Sequence, residues 1–119
     1  MPHLVIEYSD NLRPFPHAQV MTEVNASCCQ SPAILDETDF KTRIVARPHF
    51  EIGTAPNQRA FVHATLRLLS GRSPEAKRDL SERIAAVLRK HTPKPQGVAV
   101  QLSVELVDMD RDSFVKEKL

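Results

Sequence analysis

The chain has 119 residues, 41% of them hydrophobic and 26% charged, which fits one domain with enough apolar material for a core. Sixteen Lys and Arg side chains against fifteen Asp and Glu leave a formal charge of +1, so no global field argues for nucleic acid or an anionic membrane surface. The apolar start Leu4-Val5-Ile6 follows no basic region and is too brief for a signal peptide or membrane span, which points to the cytoplasm.

The chain opens Met1-Pro2. Removal of Met1 would make the Pro2 nitrogen a free secondary amine, a group that no internal proline offers. An α-amino group titrates at about 7.7–8.0, and burial or cationic neighbours lower that value. A neutral amine poised near physiological pH is a competent general base. The plain alternative is that Met-Pro merely permits trimming.

A first strand is predicted from about Pro2 to Ser9, with Leu4, Ile6 and Tyr8 on one face and His3, Val5 and Glu7 on the other. Asp10-Asn11 can open a turn, and Pro14 and Pro16 disfavour a helix until about His17. Val20, Met21, Val24 and Cys28 then recur at helical spacing until Ser31-Pro32. Cys28 and Cys29 are adjacent, which suits neither a disulfide nor a metal site, so they read as reduced thiols with at least one in a core. The next strand runs from about Phe40 to Arg47, with Lys41, Arg43, Val45 and Arg47 sharing one face.

After a turn over Gly53 to Gln58 the pattern repeats. Ala60 to Leu69 alternates as a strand, and Ser73, Pro74 and Glu75 form a helix start as N-cap, first helical residue and acidic first-turn residue. Ala76, Leu80, Ile84, Val87 and Leu88 make one apolar stripe before Thr92-Pro93-Lys94-Pro95 ends the helix. Val98, Val100, Leu102, Val104 and Leu106 alternate along a last strand. The charged tail after Asp108 is expected either to fray or to lie across a neighbouring subunit.

The order strand, helix, strand occurs twice, over about 2–52 and 60–108. Two right-handed crossover units joined edge to edge make an α+β fold, β-α-β-β-α-β, with a four-stranded mixed sheet, two helices on one face and a pseudo-two-fold repeat. The uncovered face, carrying basic and aromatic residues, favours a homo-oligomer whose sheets enclose a common interior, with a solvated face as the alternative. One Tyr and five Phe at near-neutral charge count against an RNA-binding sheet. No Ser-His-Asp signature, phosphate loop or dinucleotide fingerprint is present.

The opening Pro2-His3 with Glu7 and Ser9-Asp10-Asn11, the run Ala60-Phe61-Val62-His63-Ala64-Thr65-Leu66, the link Ser70-Gly71-Arg72-Ser73 and the closing Leu102-Ser103-Val104-Glu105 resemble the tautomerase superfamily. Within it they are similar to the 5-carboxymethyl-2-hydroxymuconate Δ-isomerases. The resemblance implies a cofactor-free keto–enol isomerase of aromatic catabolism, usually a trimer, without metal, in which Pro2 shuttles a proton along a conjugated dienol acid. It also implies cations that hold the substrate's carboxylates and stabilise the dienolate. Arg72 matches one such arginine in place. The other aligns with Lys41, which keeps the charge but loses the planar fork. Arg43 lies on the same strand face and can take over.

The candidate catalytic residues are therefore Pro2, Arg72 and Arg43, with Lys41, Arg43, Arg72 and His3 as substrate-binding candidates. The expected partners are a small carboxylate substrate and two further copies of the chain, with no nucleic acid or membrane. The ordinary readings stand beside these. Arg72 can be an exposed loop residue, Lys41 and Arg43 can be edge-strand charges, His3 and His63 can be structural, and Glu7 can pair with a cation. The rival functions are a non-catalytic metabolite-binding or oligomerisation module, or another proline-dependent reaction such as decarboxylation or hydration.

Overall fold

Alternation in the strands and a 3.6-residue period in the helices resolve into a two-layer α+β structure. The computed structural model describes residues 1–55 and 58–119, so part of the expected Gly53–Gln58 turn lies outside the described residues. In chain order the elements are β1 (His3–Ser9), α1 (His17–Cys29), a short 3-10 turn (Glu37–Asp39), β2 (Lys41–Arg47), β3 (Arg59–Leu69), α2 (Pro74–His91) and β4 (Ala99–Met109).

The sheet order is β2-β1-β3-β4. β1 runs parallel to β2 with His3 opposite Lys41, and β3 runs parallel to β4 with His63 opposite Ser103. The two halves meet where β1 and β3 pair antiparallel, with His3 opposite Arg67. Each parallel pair is closed by its own helix, as a crossover connection requires. The expected repeat is thus present, and its halves are related across the β1–β3 seam.

Leu4, Ile6 and Tyr8 of β1 and Ala60, Val62, Ala64, Leu66 and Leu68 of β3 are buried on the helix side of the sheet. They meet Val20, Val24 and Cys28 of α1 and Leu80, Ile84, Val87 and Leu88 of α2. Met21, which shares the predicted apolar spacing, is only half-buried. Tyr8 stacks on Phe15 at 4.1 Å between ring centroids, and its hydroxyl meets His17 Nε2 at 2.7 Å. The helices are tied to each other by Arg83 Nη1 donating to the Ser27 carbonyl at 2.9 Å and by His91 Nε2 meeting Glu23 at 2.7 Å.

Both helix starts follow local chemistry. α1 begins at His17, directly after Pro16, with no side-chain cap. α2 has Pro74 in its first turn, and the Ser73 hydroxyl accepts from the Ala76 amide at 3.1 Å. Cys28 and Cys29 are both free, with Cys28 buried among the α1 core residues. Burial pushes the Cys28 thiol up to about 12.

The tail after Met109 packs against the rest of its own chain. It turns at Asp110, whose carboxylate accepts from the Ser113 amide at 3.1 Å, and folds back on its own chain. Lys116 pairs with Asp39, and Lys118 reaches Asp36 at 3.8 Å. No helix among the described residues is long and apolar enough to cross a membrane.

Candidate functional site

The β1–β2 ladder begins at the chain start. The Lys41 amide donates to the Pro2 carbonyl at 3.1 Å, and Pro2 is buried. The Lys41 ammonium turns back to the Asp39 carbonyl at 2.9 Å. Asp36 caps the 3-10 turn by accepting from the Thr38 amide at 3.0 Å and the Thr38 hydroxyl at 2.7 Å. That cap holds Asp39 where its carboxylate meets Lys116.

Arg72 enters from the loop between β3 and α2. Gly71 before it has φ +117°, a conformation that side-chain-bearing residues rarely adopt. Arg72 Nη1 donates to the Leu69 carbonyl at 2.9 Å, and Nη2 donates to the Ala33 carbonyl at 3.2 Å. The guanidinium therefore ties its own loop to the segment after α1. Its Nε is buried without a hydrogen-bond partner. Burial, then the nearby Arg111 charge, lowers its pKa, while Asp108 acts the other way.

These groups act on one amine. The terminal amine of Met1 lies below its ordinary value, first through burial and then through the Arg72 charge. Asp39 pulls in the opposite direction, and Lys116 and Lys41 add further depression. The charges of Arg72 and Lys41 thus both act on the chain start. With Met1 in place the Pro2 nitrogen is a peptide nitrogen.

Arg43 stands differently. It lines a cavity of about 320 Å³ on the sheet face opposite the helices, together with His3, Val5, Glu7, Thr65, Arg67 and Met109. Its Nη1 meets His3 Nδ1 at 3.3 Å. A guanidinium only donates, so His3 accepts at Nδ1 and carries its proton on Nε2. Burial, then Arg43, Lys41 and the terminal amine, hold His3 below its usual pKa, which favours that neutral ring. Arg43 therefore connects to the chain start through His3, whereas Arg72 and Lys41 act on the amine directly.

Further along this face, Arg47 Nε and Nη2 fork onto the two oxygens of Glu7, both at 3.2 Å. His63 Nδ1 meets Ser103 Oγ at 2.7 Å, and its Nε2 lies 3.2 Å from Glu105. Glu7 is thus paired and His63 is held by neighbours. Among the described residues no group of three His, Cys, Asp or Glu side chains gathers at metal-binding spacing. A larger cavity, about 500 Å³, lies between the end of α2 and β4, lined by Leu88, Arg89, Thr92, Lys94, Val98, Val100 and Leu102. It contains none of the candidate residues.

Asp39 and Lys116, whose charges act on the chain-start amine, and Arg67, which lines the smaller cavity, are not among the sequence candidates. Asp39 stands two residues before Lys41 and was within reach of local inspection. Lys116 is 77 residues from its partner, and nothing in a charged tail marks it.

The profile of a family described as 5-carboxymethyl-2-hydroxymuconate isomerase matches residues 2–118. A search of curated proteins finds no match. Among solved structures, a 5-carboxymethyl-2-hydroxymuconate isomerase from Deinococcus radiodurans R1 superposes with a TM-score of 0.85 at 25% identity, over 99% of this chain and 90% of that one. A 5-carboxymethyl-2-hydroxymuconate delta-isomerase gives 0.71 at 20% identity, over 99% and 88%. A fused 4-OT symmetric trimer gives 0.66 at 15% identity, over 94% and 89%. With a two-layer β-α-β-β-α-β fold and a family match along nearly its whole length, the chain belongs to the 5-carboxymethyl-2-hydroxymuconate isomerase family.

Proposed function

We propose that this protein is a cofactor-free keto–enol isomerase for a small unsaturated 2-hydroxy or 2-oxo acid of aromatic catabolism, such as 5-carboxymethyl-2-hydroxymuconate, with Pro2 as its base once Met1 is removed. Residues 1–119 act as one domain in this reading. The observation that carries it is the field at the chain start, where burial and the charges of Arg72, Lys116 and Lys41 favour a neutral amine. Pro2 is one residue further in and buried, and in this reading its nitrogen takes up that field once Met1 is removed.

The neutral Pro2 nitrogen accepts the enol proton, electron density passes along the conjugated system as a dienolate, and the proton is returned at a distant carbon. The net change is an isomerisation, with no electrons gained or lost. Arg72 and Lys41 bind the carboxylates and offset the dienolate's negative charge. The unpartnered Arg72 Nε supports this role, because a carboxylate oxygen there would satisfy a buried donor. Arg43 and His3 serve the open-face end of the substrate in this scheme. The trimeric state of the 4-OT neighbour supports a homotrimer, in which the sheet face carrying Arg43 meets other copies.

A non-catalytic binding or oligomerisation module is the second reading. It is favoured by the Arg72 Nη groups already being engaged by the Leu69 and Ala33 carbonyls. Intact mass of untagged protein should show Met1 missing, and the absorbance of a 2-hydroxymuconate-type dienol should decay faster with protein than in buffer. Pro2→Ala should lower that rate about 10²-fold or more. Wild-type turnover by Pro2→Ala would overturn the isomerase reading. Ligand-induced thermal stabilisation without turnover would favour the binding module.

A further inference from the structure

We propose that the C-terminal tail is part of the active site: it is strapped across the 3-10 turn so that Lys116, paired with Asp39, is a positioning residue that holds a positive charge beside the catalytic amine. This inference rests on the Pro2-base reading and deepens it by assigning a tuning device to that site.

Three attachments make the strap. Arg111 Nε donates to the Ser70 carbonyl, one residue before Gly71, which fixes the tail to the loop that delivers Arg72. The Asp110 carboxylate accepts from the Ser113 amide at 3.1 Å and from its hydroxyl at 2.7 Å, which turns the chain back. Lys116 then meets Asp39, and Lys118 reaches Asp36 at 3.8 Å, so both lysines engage the one short turn that precedes β2. The inner pair is the more sheltered, with the Lys116 side chain 29% exposed and Asp39 14%, against 75% and 46% for Lys118 and Asp36.

The inner pair also adjoins the chain start. Asp39 accepts at its carbonyl from the Lys41 ammonium at 2.9 Å, and the Lys41 amide holds the Pro2 carbonyl at 3.1 Å. The charged and titratable groups that act on the chain-start amine, here that of Met1 and one residue from the Pro2 nitrogen, are Arg72 from the β3–α2 loop, Asp39 from the 3-10 turn, Lys116 from the tail and Lys41 from β2, with His3 of β1 coupled to it. Asp39 alone among them is anionic and stabilises a protonated amine. Lys116 neutralises that anion and opposes protonation. Removing Lys116 both deletes a cation and leaves Asp39 unopposed, so two effects act in the same direction.

The test uses Met1-processed protein carrying ¹⁵N-proline, with Pro2 assigned by its loss in Pro2→Ala. Its nitrogen shift is followed against pH. Lys116→Met and Lys116→Gln should each raise the amine pKa by about half a unit or more. Asp39→Asn should lower it, and Lys116→Arg should restore the wild-type value. The low-pH limb of kcat/KM should move with each measured pKa, which lost folding alone would not reproduce. An amine pKa unmoved by both Lys116 charge deletions, or moved the same way by Lys116→Met and Asp39→Asn, would overturn the strap. If that happens while Pro2→Ala is inactive, only this inference fails. If Pro2→Ala turns over like wild type, the underlying reading fails instead.

Discussion

The Lys41 amide donates to the Pro2 carbonyl at 3.1 Å, a rung just beyond the His3–Lys41 pair of the β1–β2 ladder. The hydrogen bond belongs to the backbone, yet it decides where the charges stand. It fixes the chain start against β2, and β2 carries Lys41 and the preceding Asp39 with it. A slip of one residue would turn the alternating side chains of β1 to the opposite face.

Lys41 and Arg43 should therefore differ in effect although they share a strand face. Lys41→Ala removes a cation acting on the amine and should raise the acid-limb pKa of kcat/KM as well as KM. Arg43→Ala loses its contact with His3 Nδ1, 3.3 Å away, and should act chiefly on KM. Steady-state rates across pH separate the two.

Arg72→Ala should cost both activity and stability, because the side chain holds two backbone carbonyls, of Leu69 and Ala33. Loss of charged hydrogen bonds and a partly buried cation should destabilise by about 2 kcal/mol in urea unfolding. Arg72→Lys keeps the charge but loses the fork. It should recover part of the stability while kcat/KM remains at least about tenfold below wild type.

The Glu7–Arg47 pair should contribute a small pH-dependent stability. Its hydrogen bond from Arg47 lowers the Glu7 pKa against burial, which raises it. A depressed carboxylate stabilises the fold above its unfolded value, about 4.3, and loses that contribution as pH falls through the folded value. Glu7 is 34% exposed, so solvent screening limits the pair to about 0.5 kcal/mol. Thermal unfolding of wild type and Arg47→Ala should differ at pH 7 and converge in acid.

Cys28 should resist thiol reagents in the folded protein. Its pKa of about 12 leaves almost no thiolate at neutral pH, and it is fully buried. Aromatic disulfide reagents should label the native chain slowly, beginning with the half-buried Cys29, and label both thiols at once in denaturant. Prompt labelling of Cys28 in native buffer would contradict the packing.

Ile84→Ala and Ser73→Ala test the helix that seats Arg72. Ile84 is fully buried, and its truncation should cost about 2–5 kcal/mol. Ser73→Ala removes the hydroxyl that accepts from the Ala76 amide at 3.1 Å and should cost about 1 kcal/mol. Both are read by urea unfolding.

Much of the architecture was legible in residue order because burial is periodic. Leu4, Ile6 and Tyr8 alternate on β1, and Leu80, Ile84, Val87 and Leu88 follow a helical stripe, so each element declares its own inner face. Ser73 and Pro74 announce the start of α2 through chemistry confined to a few neighbouring positions. Arg72 and Lys41 were singled out through the resemblance to the family, since a loop arginine and a strand lysine carry no local mark of function.

The arrangement of charge had no such local signature. Lys116 lies in a polar tail where no apolar rhythm dictates a partner, and Asp39 is 77 positions away. Only the backbone path, turned at Asp110 and pinned by Arg111, brings them together. Likewise the commitment of Arg72 to Ala33, 39 positions upstream, depends on how the two crossover loops approach. Periodicity specified which face of each segment is buried. Folding set which distant ions share one small volume, because electrostatic contact depends on distance in space and leaves no pattern along the chain.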